Sequence, residues 1–417
     1  MKKLLVLGGK PIGSFEIVEY AKSIGVYTVV TDYLPEEQSI AKKIADESWD
    51  ISTANVELLA KKAKEVGIDG IYTGVHEFNI ERMIELCSIL KLPCFCTIDQ
   101  WKTLNNKQMF KDLCRNYNIP VTEEYSLKKI LSNEESNSNK YPLVVKPVDG
   151  SGSRGFSVCN NHDELVLASQ KASSISSTKS VLVEKYMDYK RSVIINYTIV
   201  NGKIFFSGIS DKHSKKVFEN GAPIMSIQFY PSHLTDKYLD ELNDKVKLML
   251  RKFGLKNGVI WIESFYSHGK FFFNEMGYRF GGSLTYLPVK TLTGINQLEL
   301  QIEYALTGKN KEKPVYKNNF INKTYCILPV HVKPGKIEKV EGIEEIESWS
   351  ELVSIVPVHH VGDNIEEWGS AQQVFAYIHF ITDTKNKAEE FIDRVVQVLR
   401  VYDVYENNIL FTLYREE

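Results

Sequence analysis

Long apolar runs are missing from this sequence. No stretch approaches the roughly 20 residues that a helix needs to cross a bilayer. The apolar run near the N-terminus, in MKKLLVLGGKPIG, is only four residues long before glycines interrupt it, too short for the hydrophobic region of a secretory signal. An excess of one charge is missing too. Lys and Arg number 51 against 53 Asp and Glu, a formal net charge of −2, so no global field draws the chain to nucleic acid or an anionic membrane. The six cysteines (Cys87, Cys94, Cys96, Cys114, Cys159 and Cys326) contain no C-x-x-C and no paired framework. Cys94 and Cys96, one residue apart in LPCFCT, would share one face of an extended segment as buried thiols. These absences describe a cytoplasmic, reduced chain with neither a membrane nor a nucleic-acid partner.

With 417 residues the chain exceeds one typical core, and two or three domains are expected. From KKLLVLGG to LPCFCT, short apolar strands alternate with amphipathic helices such as VELLAKKAKEVGID and NIERMIELCSILK, which predicts a parallel, doubly wound α/β sheet over residues 1–104. Gly8, Gly9 and Gly13 open its first turn and Asp32 follows at the distance of a ribose-binding acid. Lys10, however, stands where a dinucleotide fingerprint needs its second glycine. A Cβ there obstructs the approach of backbone to pyrophosphate, so these glycines are expected to serve strand-to-helix packing. At 105 the pattern changes to α+β order, beginning with the helix NNKQMFKDLCRNYNIP. The polar stretches 132–140 and 169–180 read as exposed connections. Residues 316–417 read as a smaller α+β unit.

Gly150, Gly152 and Gly155 form a G-x-G-x-x-G in VVKPVDGSGSRGFSV. The strand context decides its meaning. PLVVK leads in as one strand, GFSVC leads out as another, and helix signals come only later. A dinucleotide fingerprint would open a helix, and a kinase loop would carry its lysine afterwards. A lysine leading into a Gly/Ser hairpin suits a phosphate clamp, with backbone N–H groups and the Lys146 charge side by side. Downstream, Glu184 in VLVEKYM can accept a hydrogen bond from an adenine amino group while backbone at Lys185–Met187 reads the ring edge. Glu263 in GVIWIESFY and Glu275 in KFFFNEMGYRFGGS lie on two strand-like runs of one hairpin. Facing each other, they suit Mg²⁺ shared with nucleotide phosphates. KHSKK (212–216) reads as solvated surface, although Lys212 and His213 could equally face an acceptor site. His76 in TGVHEFN is a candidate for lining an interdomain cleft, or a simple loop histidine.

These elements, in this order, resemble the ATP-grasp superfamily, most closely its biotin carboxylase-like and carbamoyl-phosphate-synthase-like branch. The resemblance covers nearly the whole chain. It implies a Rossmann-like domain (1–104), an ATP-grasp domain (105–315, with a mobile lid at about 125–186) and a C-terminal α+β domain (316–417). It implies ATP and Mg²⁺ as cofactors. Lys107 and Lys146 match the ATP lysines, and Ser151, Gly152, Ser153 and Gly155 match the loop over the phosphates. Glu184, Lys185 and Met187 match the adenine hinge, with Arg191 a basic residue of the carboxylase-like branch. Glu263 and Glu275 match the magnesium carboxylates. Arg279, with Gly281, Gly282 and Ser283, matches the arginine and glycine turn beside the reacting phosphate. Lys146 and Arg279 would be catalytic, and Lys212 would join Arg279 and the 281–283 turn in holding substrate. Two departures stand out: Gly277 replaces an Asn that helps hold a second Mg²⁺, and Tyr189–Arg191 replaces an acidic ribose-contact segment, leaving Asp188 as a substitute. The implied activity is a carboxylate–amine ligase working through an acyl phosphate, on small-molecule carboxylate and amine substrates and compatible with a homodimer. The alternatives are a bicarbonate-using carboxylase or carbamoyl-phosphate-type synthetase, and a non-catalytic ATP-binding protein of the same fold.

Overall fold

KLLVL and YTVVT bury nearly every side chain, the pattern of parallel strands covered on both faces. The computed structural model describes all residues except 133–139, 150, 151, 153, 218–222, 311–322, 367, 368 and 415–417, so the expectations for Gly150, Ser151 and Ser153 fall outside the described residues. β1 (Lys3–Leu7), β2 (Tyr27–Thr31), β3 (Glu47–Trp49) and β4 (Gly70–Thr73) form a parallel sheet in the order β3-β2-β1-β4. The strand β3, too short to announce itself, is the one addition to the expected pattern. The helix Val56–Val66 starts where the Asn55 side chain accepts from the Leu58 N–H, and it stops at Gly67 in the left-handed conformation, the usual start and stop chemistry.

The first turn is filled by the chain itself. A Cβ on Gly9 would lie 1.9 Å from Ser39 Oγ, and the Gly9 N–H donates to Asp32 Oδ2 at 2.8 Å. Asp32 Oδ1 accepts from the Leu34 N–H at 3.1 Å. The glycines thus serve close packing, and Asp32 caps backbone. LPCFCT differs from expectation. It forms no strand, because Thr97 begins a capping box with Gln100 and turns the chain into the helix Ile98–Asn105. Cys94 and Cys96 flank Phe95, whose ring meets Tyr278 edge-on at 5.1 Å.

A second sheet, β5 (Glu124–Tyr125), β6 (Leu143–Pro147), β7 (Ser157–Cys159) and β8 (Val181–Lys185), runs β5-β8-β6-β7 with its own core of Leu143, Val145, Leu165, Ala172 and Val183. The 169–180 stretch is not simply an exposed connection. The helix His162–Ile175 runs through its first half and buries Ser169 and Ala172. Ser176 Oγ then donates to Asp149 Oδ1 at 2.5 Å, and the Ser177 N–H to Oδ2 at 3.0 Å, anchoring the start of the glycine loop.

The third sheet is the largest. It contains β9 (Arg191–Val200), β10 (Lys203–Lys216), β11 (Pro223–Tyr230), β12 (Gly258–Ser267), β13 (Lys270–Gly277) and β14 (Thr324–Val332). Beyond them come β15 (Gly335–Glu341), β16 (Leu352–Pro357), β17 (Asn364–Ile365), β18 (Val374–Thr382), β19 (Arg400–Asp403) and β20 (Leu410–Phe411). Nine strands join in the order β13-β12-β9-β10-β11-β14-β18-β16, with β20 on β14, while β17-β15-β19 form a small separate sheet. One sheet therefore crosses residue 315: Gln228 of β11 pairs with Ile327 of β14. The KHSKK segment lies inside β10 rather than in a surface loop. Among the described residues no helix is long and apolar enough to cross a membrane.

Candidate active site

Lys146 lies near the end of the buried strand LVVKP, and its ammonium faces the gap between the second and third sheets. Nζ lies 2.6 Å from Glu184 Oε2 and donates to Asn274 Oδ1 at 2.7 Å. The ladder pairs Lys146 with Leu182 and Val144 with Glu184, which makes Lys146 and Glu184 diagonal neighbours on one face. Burial, with repulsion from Lys107 added, pushes the Lys146 ammonium down to about 8. The Glu184 carboxylate accepts from Thr122 Oγ1 at 2.6 Å and also contacts the Lys111 ammonium. The residue is buried, and Oε2, although it faces the Lys146 ammonium, accepts no hydrogen bond, so Glu184 is a counter-ion to two lysines with one oxygen still without a donor. Lys111 is itself fully buried, and desolvation, with Lys146 repelling it, pushes its ammonium well below the lysine range.

Glu263 and Glu275 stand directly opposite each other in the β12–β13 ladder, so their side chains share a face. Immediately beyond this pair the register shifts, and Ser264 meets Phe273. Asn274 is thus the extra residue of a β-bulge, which turns it to the same side as its neighbour Glu275. Its Nδ2 donates to Glu263 Oε2 at 2.9 Å. Glu263 Oε1 accepts from Lys212 Nζ at 2.7 Å and from Ser192 Oγ at 3.0 Å. Burial opposes charge on Glu263, but Lys212, Asn274 and Ser192 outweigh it and hold the carboxyl below its usual range. Burial likewise opposes the Lys212 charge, and Glu263 reverses this, raising the ammonium above its ordinary value. Lys212, with 26% of its side chain exposed, therefore turns its ammonium onto Glu263 instead of standing free in solvent, contrary to the surface reading of KHSKK. The Lys107 ammonium sits 3.5 Å from Glu275 Oε2. Lys107 begins the helix Lys107–Asn116, capped by the Asn106 side chain, and its own N–H donates to Val148 O at 2.9 Å.

Lys107, Lys146, Arg154, Lys212, Glu263, Asn274 and Glu275 line one cavity with Gly152, Phe156 and Tyr189. A second cavity adjoins it. The two share Lys107, Gly152 and Glu275, and the second adds Glu77, Leu104, Asn105, Trp261, Met276 and Arg279. Arg279 Nη2 is 2.8 Å from Glu77 Oε1, its Nη1 donates to Phe280 O at 2.9 Å, and its guanidinium lies over the Trp261 ring at 5.3 Å. Burial works to raise the Glu77 carboxyl, and Arg279 overrides it, leaving the group below its usual range.

Other expected residues lie further out. Gly155 is buried, Met187 is half-buried, and Lys185 and Arg191 are exposed. The Lys185 N–H already donates to Glu123 O at 2.9 Å and the Tyr186 N–H to Pro142 O at 3.3 Å. Asp188 accepts from the Lys190 N–H at 3.0 Å. Tyr189, in the departed segment, packs edge-on against Phe265 at 4.7 Å and Phe156 at 5.1 Å. Gly281, Gly282 and Ser283 form the turn into the helix Tyr286–Thr293, where the Gly281 N–H meets Thr285 Oγ1 at 3.3 Å; they line neither cavity. His76 is exposed ahead of the helix Glu77–Leu90. Gly277 opposes Trp261 in the ladder, and a Cβ on it would lie 2.3 Å from the indole Nε1.

Residues 139–286 match the family model described as the ATP-grasp domain. The chain contains an ATP-grasp domain. It is 23% identical to the carbamoyl phosphate synthase large chain of Clostridium beijerinckii over 88% of this chain but 34% of that protein; the chain thus spans about a third of the length of that relative. The biotin carboxylase domain of Hydrogenobacter thermophilus 2-oxoglutarate carboxylase, solved with MgADP, ADP and bicarbonate, superposes with a TM-score of 0.77 at 18% identity, covering 96% of this chain and 90% of that one. The L-amino acid ligase of Bacillus licheniformis superposes with a TM-score of 0.74 at 19% identity, over 97% of this chain and 99% of that one. The ATP-grasp match begins in the second sheet and ends in the helix after Arg279, so it encloses Lys146, Lys212, Glu263, Glu275 and Arg279.

Sequence reading missed Asn274, Lys111, Glu77, Arg154 and Trp261. Lys111 carried a usable signal, since it lies four residues after Lys107 on one helix and so near the same face. Asn274 carried none, because strict alternation would turn it away from Glu275 and only the bulge brings them together.

Proposed function

We propose that this protein is an ATP-dependent carboxylate–amine ligase. ATP transfers its terminal phosphoryl group to a substrate carboxylate, releasing ADP, and an amine then displaces phosphate from the acyl phosphate to form an amide. The carrying observation is the pair of adjoining cavities, one rich in lysines around two opposed carboxylates, the other presenting Arg279.

Each side chain has a task. Lys107 and Lys146 lie where they can hold the phosphates, and Arg154 on the glycine loop can add a third contact. Phosphoryl transfer depends chiefly on positioning and charge neutralisation, and these residues supply both. Arg279 presents a planar donor pair suited to a carboxylate, held in place by Glu77 and Trp261. Closing the loop around Gly152, which borders both cavities, would keep water from the acyl phosphate. The donor set fits Mg²⁺: Glu275 and Glu263 present hard carboxylate oxygens to one cavity, Glu275 the more open of the two. Bound there, Mg²⁺ would neutralise phosphate charge. We also place the protein in the cytoplasm, as a homodimer acting on small molecules, with functional units at 1–104, 105–315 and 316–417 and a lid at about 125–186.

An ADP-release screen over pooled amino acids and small carboxylates, with and without amine acceptors, tests the reading, with mass spectrometry of the product. An amide product dependent on both substrates is expected, and Glu275→Gln should remove Mg²⁺-dependent ADP release while the fold persists. Bicarbonate-stimulated release without an amine would instead indicate a carboxylase. ATP binding without ADP release for any mixture would indicate a protein that has lost turnover.

A further inference from the structure

The two carboxylates of the phosphate cavity are not equivalent. Glu263 is buried, and both of its oxygens are taken: Oε1 by Lys212 Nζ at 2.7 Å and Ser192 Oγ at 3.0 Å, Oε2 by Asn274 Nδ2 at 2.9 Å. Glu275 keeps 32% of its side chain exposed, and its recorded cation contact, to Lys107, is longer at 3.5 Å. A third donor at position 277 is ruled out sterically, since Trp261 covers Gly277 so closely that a Cβ would fall 2.3 Å from the indole nitrogen.

Resting on the MgATP reading above, we propose that the site takes one divalent cation, at Glu275, and that the Lys212 ammonium fixed on Glu263 is the second positive charge. Local charge points the same way. Lys107, Lys146, Arg154 and Lys212 border the cavity with Glu263 and Glu275, so a bound triphosphate meets several fixed positive charges before any second metal arrives. An ammonium also cannot leave with ADP, so part of the neutralising charge stays with the enzyme throughout the cycle.

Counting Mn²⁺ by electron paramagnetic resonance on the full chain, saturated with the β,γ-methylene analogue of ATP, tests the proposal without any turnover. Wild type is expected to hold one Mn²⁺ per chain. Lys212→Met should gain a second, now free to settle on Glu263, and Lys212→Arg, which keeps the cation, should stay at one. Two Mn²⁺ in wild type with affinities within about tenfold of each other would overturn the proposal, as would a Lys212→Met protein that still holds one. If Lys212→Met fails to fold, the wild-type and Lys212→Arg counts decide. Failure of the analogue to bind at all would remove the ligase reading itself, whereas two ions on a nucleotide-bound protein would remove only the single-cation inference.

Discussion

Lys146 Nζ donates to Asn274 Oδ1 at 2.7 Å, and through this bond the second sheet is tied to the third. The chain of contacts runs from Glu184 to Lys146, Asn274, Glu263 and Lys212. A shift of either sheet therefore moves a lysine relative to a carboxylate at the place where phosphates would lie.

Lys146 gives the site a pH signature. Its value in the folded protein is lowered to about 8 from an ordinary 10.5, so below about pH 8 it is charged and can hold phosphate. Nucleotide affinity is expected to be flat below that pH and to fall above it, by up to about tenfold per pH unit. The stability term has the opposite course: between pH 8 and the ordinary lysine value the unfolded chain binds more protons, so this residue's contribution becomes more favourable as pH rises. Nucleotide titrations from pH 6.5 to 9.5 check the first effect. Lys146→Arg, which stays protonated, should lose the pH dependence.

Lys111 should matter for stability more than for contact with substrate. It is buried against Glu184 and Thr122, and Lys111→Met leaves Glu184 with one cation in place of two. A loss of about 1.5–3 kcal/mol in urea unfolding is expected, the scale of a lost hydrogen bond to a charged group. Adding Glu184→Gln should deepen it, because that change leaves the buried Lys146 ammonium without its carboxylate, and the two changes should not simply add.

Arg279→Ala should lower kcat/KM by about a hundredfold or more, the scale of a lost transition-state contact of about 2.7 kcal/mol. Arg279→Lys should rescue little, because an ammonium cannot offer the paired donors of the guanidinium. Steady-state kinetics on the substrate found by the ADP screen measures both. A wild-type rate for Arg279→Ala would place the substrate anchor elsewhere.

Gly277→Ala should destabilise the fold even though the added group is one methyl. The new Cβ would press on the Trp261 indole at 2.3 Å, and overpacking of this kind costs about 1–3 kcal/mol. Thermal unfolding reads the loss, and pairing the change with Trp261→Leu should relieve it.

Arg154 offers a check on the glycine loop. It is exposed yet borders the phosphate cavity, so trypsin should cut after it in the protein alone. Cleavage should slow when ATP and Mg²⁺ are added together, since proteolysis follows the population of accessible states. An unchanged rate at saturating nucleotide would argue against closure of this loop on the phosphates.

The residues that announce this site are legible because each sits in a local pattern with a local cause. Alternating strands and helices predict the parallel first sheet, since strands buried on both faces must be apolar throughout. The order of Lys107, Lys146, the glycine loop, Glu263, Glu275 and Arg279 predicts the grasp domain, and the spacing of GVIWIESFY and KFFFNEMG predicts that two carboxylates oppose each other. Other features depend on contacts between distant segments. Only the folded chain pairs Lys146 and Lys111 with Glu184, across 38 and 73 residues. Only the bulge after Glu263 turns Asn274 toward Glu275, and only the β12–β13 register sets Trp261 over Gly277. Local sequence can specify a strand and its charges, but which charge is neutralised depends on which neighbour the fold brings within hydrogen-bond reach.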